Sequence, residues 1–294
     1  GEGDLDGEAN GTVVTDWYVN PDDSYGKTFV LSAFDGADSA FHSFTDGNPT
    51  GEDGGSTSID LTYNNQIIAD GSGTIWTNEI FGAGTGVVNP FLRIQSQGTE
   101  DGVNTSGDIN NDEKAQARDY TSDLLLANVA SFDETDLPDI LEGTTDRYFE
   151  FRLDINENSN SNGDQYISLD DVMIFVSTEA NLSLGSINVQ DFTWQQIIAQ
   201  FYDPADGTDP DTLNDGLIQA VYDLDDPDLN GGGTDTWVAL NYDLQAGSGV
   251  GDIAMYIEQG NFNAAIQLLE DHLNLTNVTY GETYVYLVTS FGLQ

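Results

Sequence analysis

The sequence predicts a mainly β protein with an antiparallel β-sandwich or jelly-roll-like architecture and one or two short helices. Three observations indicate this fold. Short runs of Val, Ile, Leu, Phe and Tyr recur along most of the chain. Clusters of Gly, Asp, Asn and Pro separate these runs at spacings that suit antiparallel strands. Helical spacing of apolar residues is confined to two segments, one in an inserted lobe and one near the C-terminus.

The apolar runs give the predicted strands in chain order. A polar, glycine-rich arm precedes the first of them. The predicted strands are 12–19, 27–33, 58–63, 73–80, 91–95, 148–155, 167–177, 237–242, 253–257 and 282–289. Segments 148–155 and 167–177 are predicted to form a strand pair joined by an Asn/Ser/Gly-rich loop. In the first of this pair, alternation places Phe149, Phe151 and Leu153 on the inward face.

The two predicted helices differ in their setting. Residues 192–201 have apolar side chains at helical spacing and are followed by an Asp/Pro-rich loop, so we interpret them as part of an insertion. Residues 261–273 form the clearest helix, with Asn261 as the predicted N-cap. The apolar stripe of this helix consists of Phe262, Ala265, Ile266 and Leu269.

These elements predict one main domain that carries an inserted lobe. Residues 1–20 form an N-terminal arm with a strand that is a candidate for exchange between copies. Residues 21–187 form the β-sandwich, and residues 188–215 form the helical and acidic insertion. Residues 216–294 complete the sandwich with the C-terminal helix and strand.

The charge of the chain excludes several partners. It has 52 acidic and 6 basic residues, a formal net charge of −46 at pH 7. Six basic residues cannot neutralise a nucleic-acid backbone, and the same repulsion excludes an anionic membrane surface. The chain also lacks an apolar run of about 18 or more residues, so we expect no membrane insertion. Bound cations, high salt or a large surface must relieve the self-repulsion.

The chain is expected to work outside the cell. It contains no cysteine, so no disulfide can stabilise it, and bound metal ions are the natural substitute. Its first residue, Gly1, predicts a mature form from which a signal peptide has been removed. We therefore expect an extracellular or cell-surface location.

Three loops are predicted to bind Ca²⁺. In each, carboxylate and amide oxygens recur at close spacing, and Ca²⁺ accepts six to eight oxygen ligands in irregular geometry. The predicted ligands in and after the first loop are Asp154, Asn156, Asn158, Asn160, Asn162, Asp164, Asp170 and Asp171. Those of the second loop are Asp223, Asp225, Asp228, Asn230 and Asp235, and those of the third are Asp108, Asn110 and Asp112.

Two alternatives compete with calcium. Asn, Asp and Ser are ordinary turn residues, so each loop can be a simple hairpin connection. The acidity can also reflect the surface of a halophilic protein without specific calcium sites. Against the second alternative, the acidic residues concentrate in Asn/Gly-rich loops, whereas a halophilic surface would carry them on helices and strands alike.

The sequence predicts no catalytic residues and no enzyme activity. A thiol nucleophile is impossible without cysteine, and the two histidines, His42 and His272, lie in no recognisable catalytic setting. His272 falls at the end of the predicted helix, where it would interact favourably with the helix dipole. Among 52 acids, any chosen carboxylate pair is uninformative about glycoside hydrolysis.

Nine motifs are spread over the sequence at 74–81, 84–95, 98–100, 104–106, 149–157, 167–175, 237–244, 247–252 and 284–292. Together they resemble a group of uncharacterised bacterial exoproteins that carry a C-terminal exosortase (PEP-CTERM-type) sorting tail. The likeness covers about two thirds of the chain and skips the insertion. It implies export to an extracellular or biofilm-matrix setting and implies no enzymatic activity. The sorting tail that follows the final strand in that group is not part of this sequence.

The leading hypothesis is a secreted, calcium-binding structural protein of an extracellular matrix, surface layer or filament. It would assemble with itself by donor-strand exchange or associate with a matrix polysaccharide. The alternative is a carbohydrate-binding module for exopolysaccharide, which requires exposed aromatic side chains. A calcium-dependent hydrolase is a third hypothesis. The aromatic residues considered for a sugar platform are Trp17, Trp76, Trp194, Trp237, Tyr242 and Tyr256.

Overall fold

The chain folds into two β-sheets and a C-terminal helix. The computed structural model describes residues 14–18, 57–64, 66–70, 72–78, 90–94, 100–105, 121–133, 147–156, 166–182, 218–225, 236–241, 244 and 252–291. The strands are β1 (Val14–Tyr18), β2 (Thr57–Leu61), β3 (Ile67–Ala69), β4 (Ile75–Thr77), β5 (Pro90–Ile94), β6 (Glu100–Val103), β7 (Leu124–Leu125), β8 (Ser131–Asp133), β9 (Arg147–Asn156), β10 (Tyr166–Ser177), β11 (Ile218–Asp223), β12 (Thr236–Asn241), β13 (Ile253–Glu258) and β14 (Tyr284–Phe291). Helix α1 spans Gln259–Leu273, and short 3-10 helices span Leu126–Asn128 and Tyr280–Glu282. The predicted mainly β fold with a C-terminal helix is confirmed.

Each sheet contains seven of the described strands. The first sheet has the order β3-β4-β13-β9-β1-β5, and β8 also pairs with β9. The second has the order β2-β12-β10-β14-β6, with β11 on β10 and β7 on β14. The predicted antiparallel order holds for every described pair except β2 and β12, which are parallel. A parallel pair needs a long connection, and most of the chain lies between these two strands.

The main core lies between the two sheets. Phe151 and Leu153 of β9 and Met255 of β13 contribute from the first sheet, and Val172 and Leu287 contribute from the second. Helix α1 covers one end of this core with its predicted stripe, all four members of which are buried. The inward face predicted for Phe149, Phe151 and Leu153 is confirmed.

Apolar side chains also occupy the outer face of each sheet. Met173, Phe175, Tyr286 and Val288 form a second buried cluster on the side of the second sheet that faces away from the core. A third cluster on the first sheet includes Tyr148, Ala254 and Tyr256. Burial on both faces explains why β10 and β13 contain uninterrupted apolar runs, since a strand with one solvated face alternates instead.

Two local predictions are wrong. Strands β9 and β10 do not pair as neighbours, because β9 belongs to the first sheet and β10 to the second. The chain therefore crosses between sheets through the Asn-rich segment that separates them. Asn261 is not the N-cap of the helix: α1 begins at Gln259, directly after β13, and Glu258 occupies the cap position without a side-chain cap hydrogen bond.

Other predictions fall outside the described residues or differ in extent. The predicted strand 27–33 and the insertion at 188–215 lie outside the described residues. The predicted strand 73–80 is confirmed over Ile75–Thr77. Five strands were not predicted: β3, β6, β7, β8 and β11. The first four are short, at two to four residues each, and offer too few positions for a periodic pattern.

A polar contact links the two sheets inside the core. The Tyr222 hydroxyl of β11 donates a hydrogen bond to Oδ2 of Asp70 at 2.8 Å and accepts one from Nε1 of Trp76 at 3.2 Å. Oδ1 of Asp70 accepts from the backbone N–H groups of Ser72 and Thr74. Burial, and then the Asp70 charge, raise the pKa of Tyr222 well above its ordinary value, so the hydroxyl stays protonated.

Tyr222→Phe is expected to destabilise the protein by about 1–3 kcal/mol, because it leaves the buried Trp76 N–H without its acceptor. Urea unfolding followed by tryptophan fluorescence measures the change. Tyr63→Phe is the matched control, since the Tyr63 side chain is 64% exposed. Equal unfolding free energies for the two variants would show that the link contributes nothing.

Candidate functional site: a carboxylate cluster on the second sheet

The site lies where the strand that pairs with one edge of β10 changes from β12 to β11. The first part of β10, Tyr166–Leu169, pairs with β12. The last part, from Met173 to Ser177, pairs with β11. Residues Asp170, Asp171 and Val172 lie between these two pairings. The chain also leaves β11 and returns as β12 at this point, so the ends of both strands lie beside Asp170 and Asp171.

A β-bulge turns both of these carboxylates out of the core. The register between β10 and β14 shifts between Leu169 and Asp171, so β10 carries one extra residue there. Leu169 and Val172 both pack in the main core although they are three residues apart. Regular alternation would have placed either Asp170 or Val172 on the wrong face. The bulge avoids burying a carboxylate in the apolar core, which would cost several kcal/mol.

Strand β11 brings two more carboxylates to the same place. Tyr222 and Leu224 pack in the main core, so Asp223 and Asp225 extend from the other face by alternation. Asp223 lies opposite Met173 in the register of β10 and β11. The backbone N–H of Leu224 donates to the carbonyl of Val172 at 2.9 Å, which continues the pairing to the bulge.

The electrostatics of the cluster centre on Asp171. Burial raises the pKa of Asp171 to about 9, assisted by the charge and the hydrogen bond of Asp225 and by the charges of Asp223 and Asp170. Asp171 therefore stays protonated at neutral pH and is hydrogen-bonded to Asp225. Other contacts hold the carboxylates in place: Asp225 Oδ1 accepts from the Thr236 N–H at 2.8 Å, and Asp223 Oδ1 accepts from the Asp225 N–H at 3.0 Å.

The structure brings together residues from two of the three loops predicted to bind calcium. Asp170 and Asp171 follow the first loop, and Asp223 and Asp225 begin the second. Asp154 does not join them, because it lies in β9 of the first sheet, opposite Asp16 of β1. The remaining predicted ligands lie outside the residues whose side chains are described. They are Asn156, Asn158, Asn160, Asn162, Asp164, Asp228, Asn230, Asp235, Asp108, Asn110 and Asp112.

The described carboxylates do not by themselves complete a metal site. Within the part of the chain that the structure describes, no three His, Asp or Glu side chains converge as metal ligands. Ca²⁺ takes six to eight oxygens, so a complete site at the bulge needs oxygen ligands beyond these four residues. The fold places two carboxyl groups in hydrogen-bond contact, with two more carboxylates beside them.

A second polar cluster, on the outer face of the first sheet, was not predicted from the sequence. The Arg152 Nη2 donates to Oε1 of Glu150 at 2.8 Å, and the Tyr256 hydroxyl donates to the same oxygen at 2.7 Å. Glu150 is fully buried, and 7% of Arg152 is exposed. A signal for this pair existed in the sequence, because residues two apart on a strand share one face.

The aromatic residues considered for a sugar platform are buried wherever the structure describes their side chains. Trp76, Trp237 and Tyr256 are all at most 7% exposed. The side chains of Trp17, Trp194 and Tyr242 lie outside the description. His272 lies in the last turn of α1, as predicted, with Nδ1 at 3.3 Å from Nε2 of Gln219. His42 lies outside the described residues.

Comparisons with protein-family models, curated proteins and solved structures found no match. No helix among the described residues is long and apolar enough to cross a membrane.

Proposed function

We propose that this chain is a secreted, acidic, calcium-binding structural protein of an extracellular matrix, surface layer or filament. The observation that carries the proposal is the meeting of Asp170 and Asp171 with Asp223 and Asp225 at the β10 bulge. These residues come from two loops whose composition alone predicts calcium ligands. Their approach on one face of a sheet supports a common cation.

The chemistry of the pair favours a hard divalent cation. Two carboxylates in contact repel each other unless a proton or a cation lies between them. Protonation of Asp171, whose pKa is raised to about 9, can perform this role when no cation is bound. Ca²⁺ binds carboxylate oxygens at about 2.3–2.6 Å and would replace the proton while also compensating Asp170 and Asp223. Because the cluster joins the end of β11 to the middle of β10, an ion there would stabilise the second sheet.

A structural role outside the cell is supported by composition. Bound cations would stabilise a chain with a net charge of −46 and no cysteine more than they would stabilise a neutral or disulfide-linked protein. The resemblance to exosortase-sorted exoproteins agrees with this setting. We propose a further copy of the chain or a matrix polysaccharide as its partner, and no catalytic activity.

The test is a thermal melt by circular dichroism at fixed ionic strength, with calcium compared with excess chelator. Calcium at roughly 100 times its Kd contributes about 2.7 kcal/mol. For a protein of this size we therefore expect the Tm to rise by about 4 °C. Matched sodium should not reproduce the rise, and Asp171→Asn combined with Asp225→Asn should abolish it.

Asp271→Asn provides the control for this experiment, because Asp271 is an exposed carboxylate on α1. It should keep the full calcium effect. Coincident melts of the unaltered protein in calcium and in chelator would contradict the proposal, and the acidity would then be an adaptation to salt. A calcium effect that survives in the double variant would place the ion elsewhere in the chain.

A further inference from the structure

Strand β1 occupies an interior position in the first sheet. It is antiparallel to β9 on one side and to β5 on the other. Thr15 lies opposite Ile155 and Ile94, and Trp17 lies opposite Leu153 and Leu92. Both edges of β1 are therefore used. An N-terminal strand in such a position contributes two ladders of backbone hydrogen bonds.

Among the described strands, β5 pairs with no strand other than β1. Without β1, the first sheet would end at β9, and β5 would be detached from it. On β9, the edge that β1 covers runs from Arg152 to Asn156, beyond the short pairing with β8. Removal of β1 would thus leave a slot between two unpaired strand edges, a geometry that accepts an added strand.

The connection of β1 to the rest of the chain does not require that the slot be filled from the same chain. Residues 1–13 precede β1, and residues 19–56 separate it from β2, which lies in the other sheet. A strand from a second copy would make the same backbone hydrogen bonds. The strand of the same chain has the advantage of a covalent connection, which raises its effective concentration to the order of millimolar at most.

We propose that β1 is an exchangeable strand, and that the slot between β9 and β5 accepts β1 from a second copy of this chain. The donor and the acceptor surfaces differ, so the contact is head-to-tail and propagates into rings or open chains of subunits. Exchange competes with self-insertion when the protein concentration approaches the effective concentration set by the covalent connection, a condition that rests on the matrix or filament setting of the proposed function. This inference does not depend on calcium binding.

Cysteine pairing tests the exchange directly, because the chain has no cysteine of its own. Val14 of β1 and Asn156 of β9 lie opposite each other at the ends of their strands. Cross-strand neighbours have Cα atoms at a distance that a disulfide can bridge. One preparation carries Val14→Cys and the other carries Asn156→Cys. The two are mixed in denaturant, refolded together at high protein concentration and oxidised.

Exchange predicts a disulfide-linked heterodimer on a non-reducing gel, in several-fold excess over the yield from Val14→Cys mixed with Asp271→Cys. Asp271 is exposed on α1 and has no place in the β1 register, so that second mixture measures random collision. An excess of a peptide with the sequence of residues 12–20 should suppress the specific product. Equal yields of heterodimer in the two mixtures would overturn the proposal. A heterodimer whose yield is unchanged by the peptide would also overturn it.

The double variant Val14→Cys with Asn156→Cys in one chain supplies the fold control. Its intramolecular disulfide at low protein concentration shows that the two positions meet as they do in the structure. If this bond forms and the mixed preparations still give no specific heterodimer, β1 remains in its own chain.

Discussion

Arg152→Met is expected to destabilise the protein by about 3–5 kcal/mol, the cost of leaving a buried charge without its partner. Arg152 is the cation beside Glu150, at 2.8 Å, and Glu150 has no exposed surface. Methionine fills a similar volume but supplies no charge and no donor. After the substitution only the Tyr256 hydroxyl would still donate to Oε1 of Glu150.

Urea unfolding of Arg152→Met should be compared with that of Arg147→Met. Arg147 lies on the same strand, but it is exposed, and its guanidinium donates to the carbonyl and hydroxyl of Ser131. We expect that control to change the unfolding free energy by less than about 1 kcal/mol. Replacing Glu150 by Gln in the Arg152→Met protein should recover part of the loss. Equal effects of the two arginine substitutions would show that the buried pair does not stabilise the fold.

In chelator, the protein is expected to become less stable as the pH rises from about 4 to about 9. Burial and the neighbouring carboxylates raise the pKa of Asp171 from 3.8 to about 9. Below pH 3.8 the group is protonated in both the folded and the unfolded chain. Between the two values the unfolded chain releases the proton and the folded chain keeps it, so the free energy of unfolding falls by at most about 1.4 kcal/mol per pH unit. Above pH 9 this contribution becomes constant.

Asp171→Asn tests whether the ionisation of Asp171 causes this pH dependence of stability. The amide keeps a hydrogen bond to Asp225 but cannot ionise. The stability of the variant should therefore depend less on pH, and at pH 8–9 in chelator the variant should be more stable than the unaltered protein. It should also lose most of the calcium effect. Denaturant midpoints at several pH values measure both, with Asp271→Asn as the control. An unchanged slope in Asp171→Asn would assign the pH dependence to other acids.

The sequence predicted the long strands and the helix well, because these elements have enough residues to show a period. The C-terminal helix and strands β9, β10, β12, β13 and β14 lie close to their predicted ranges. Strand β6 has the sequence Glu-Asp-Gly-Val and shows no apolar pattern. Among the described strands only β14 pairs with it, and backbone hydrogen bonds define it more than side chains do.

Which strands would be neighbours could not be predicted from local patterns. The Asn-rich segment after β9 has the composition of a hairpin turn, yet it connects strands of different sheets. The deciding factor is burial on both faces: β10 carries core residues on one face and Met173 and Phe175 on the other. Such a strand belongs in the middle of a sheet, where it pairs with β11, β12 and β14 at once.

The sequence predicted the residue types of the site, but it could not predict which of those residues lie close together in the fold. Asp and Asn spacing identified the loops, but only the register of β10 with β11 shows that Asp171 and Asp225 meet. A usable signal was the doublet Asp170-Asp171 inside an apolar run, which predicts a bulge because Leu169 and Val172 must both face the core. Glu150 and Arg152 were missed because charged residues that alternate with Phe and Leu are typical of a solvated face.

The same carboxylate doublet has a consequence for the chain before it folds. Val172–Val176 is an uninterrupted run of five apolar residues, and strands of this kind aggregate when they are exposed on an unfolded chain. Asp170 and Asp171 stand directly before the run and act as gatekeepers, because charges beside an apolar strand oppose stacking between unfolded molecules. Variants that neutralise them should therefore aggregate more readily while unfolded, and their yield on refolding should be lower than that of the unaltered protein.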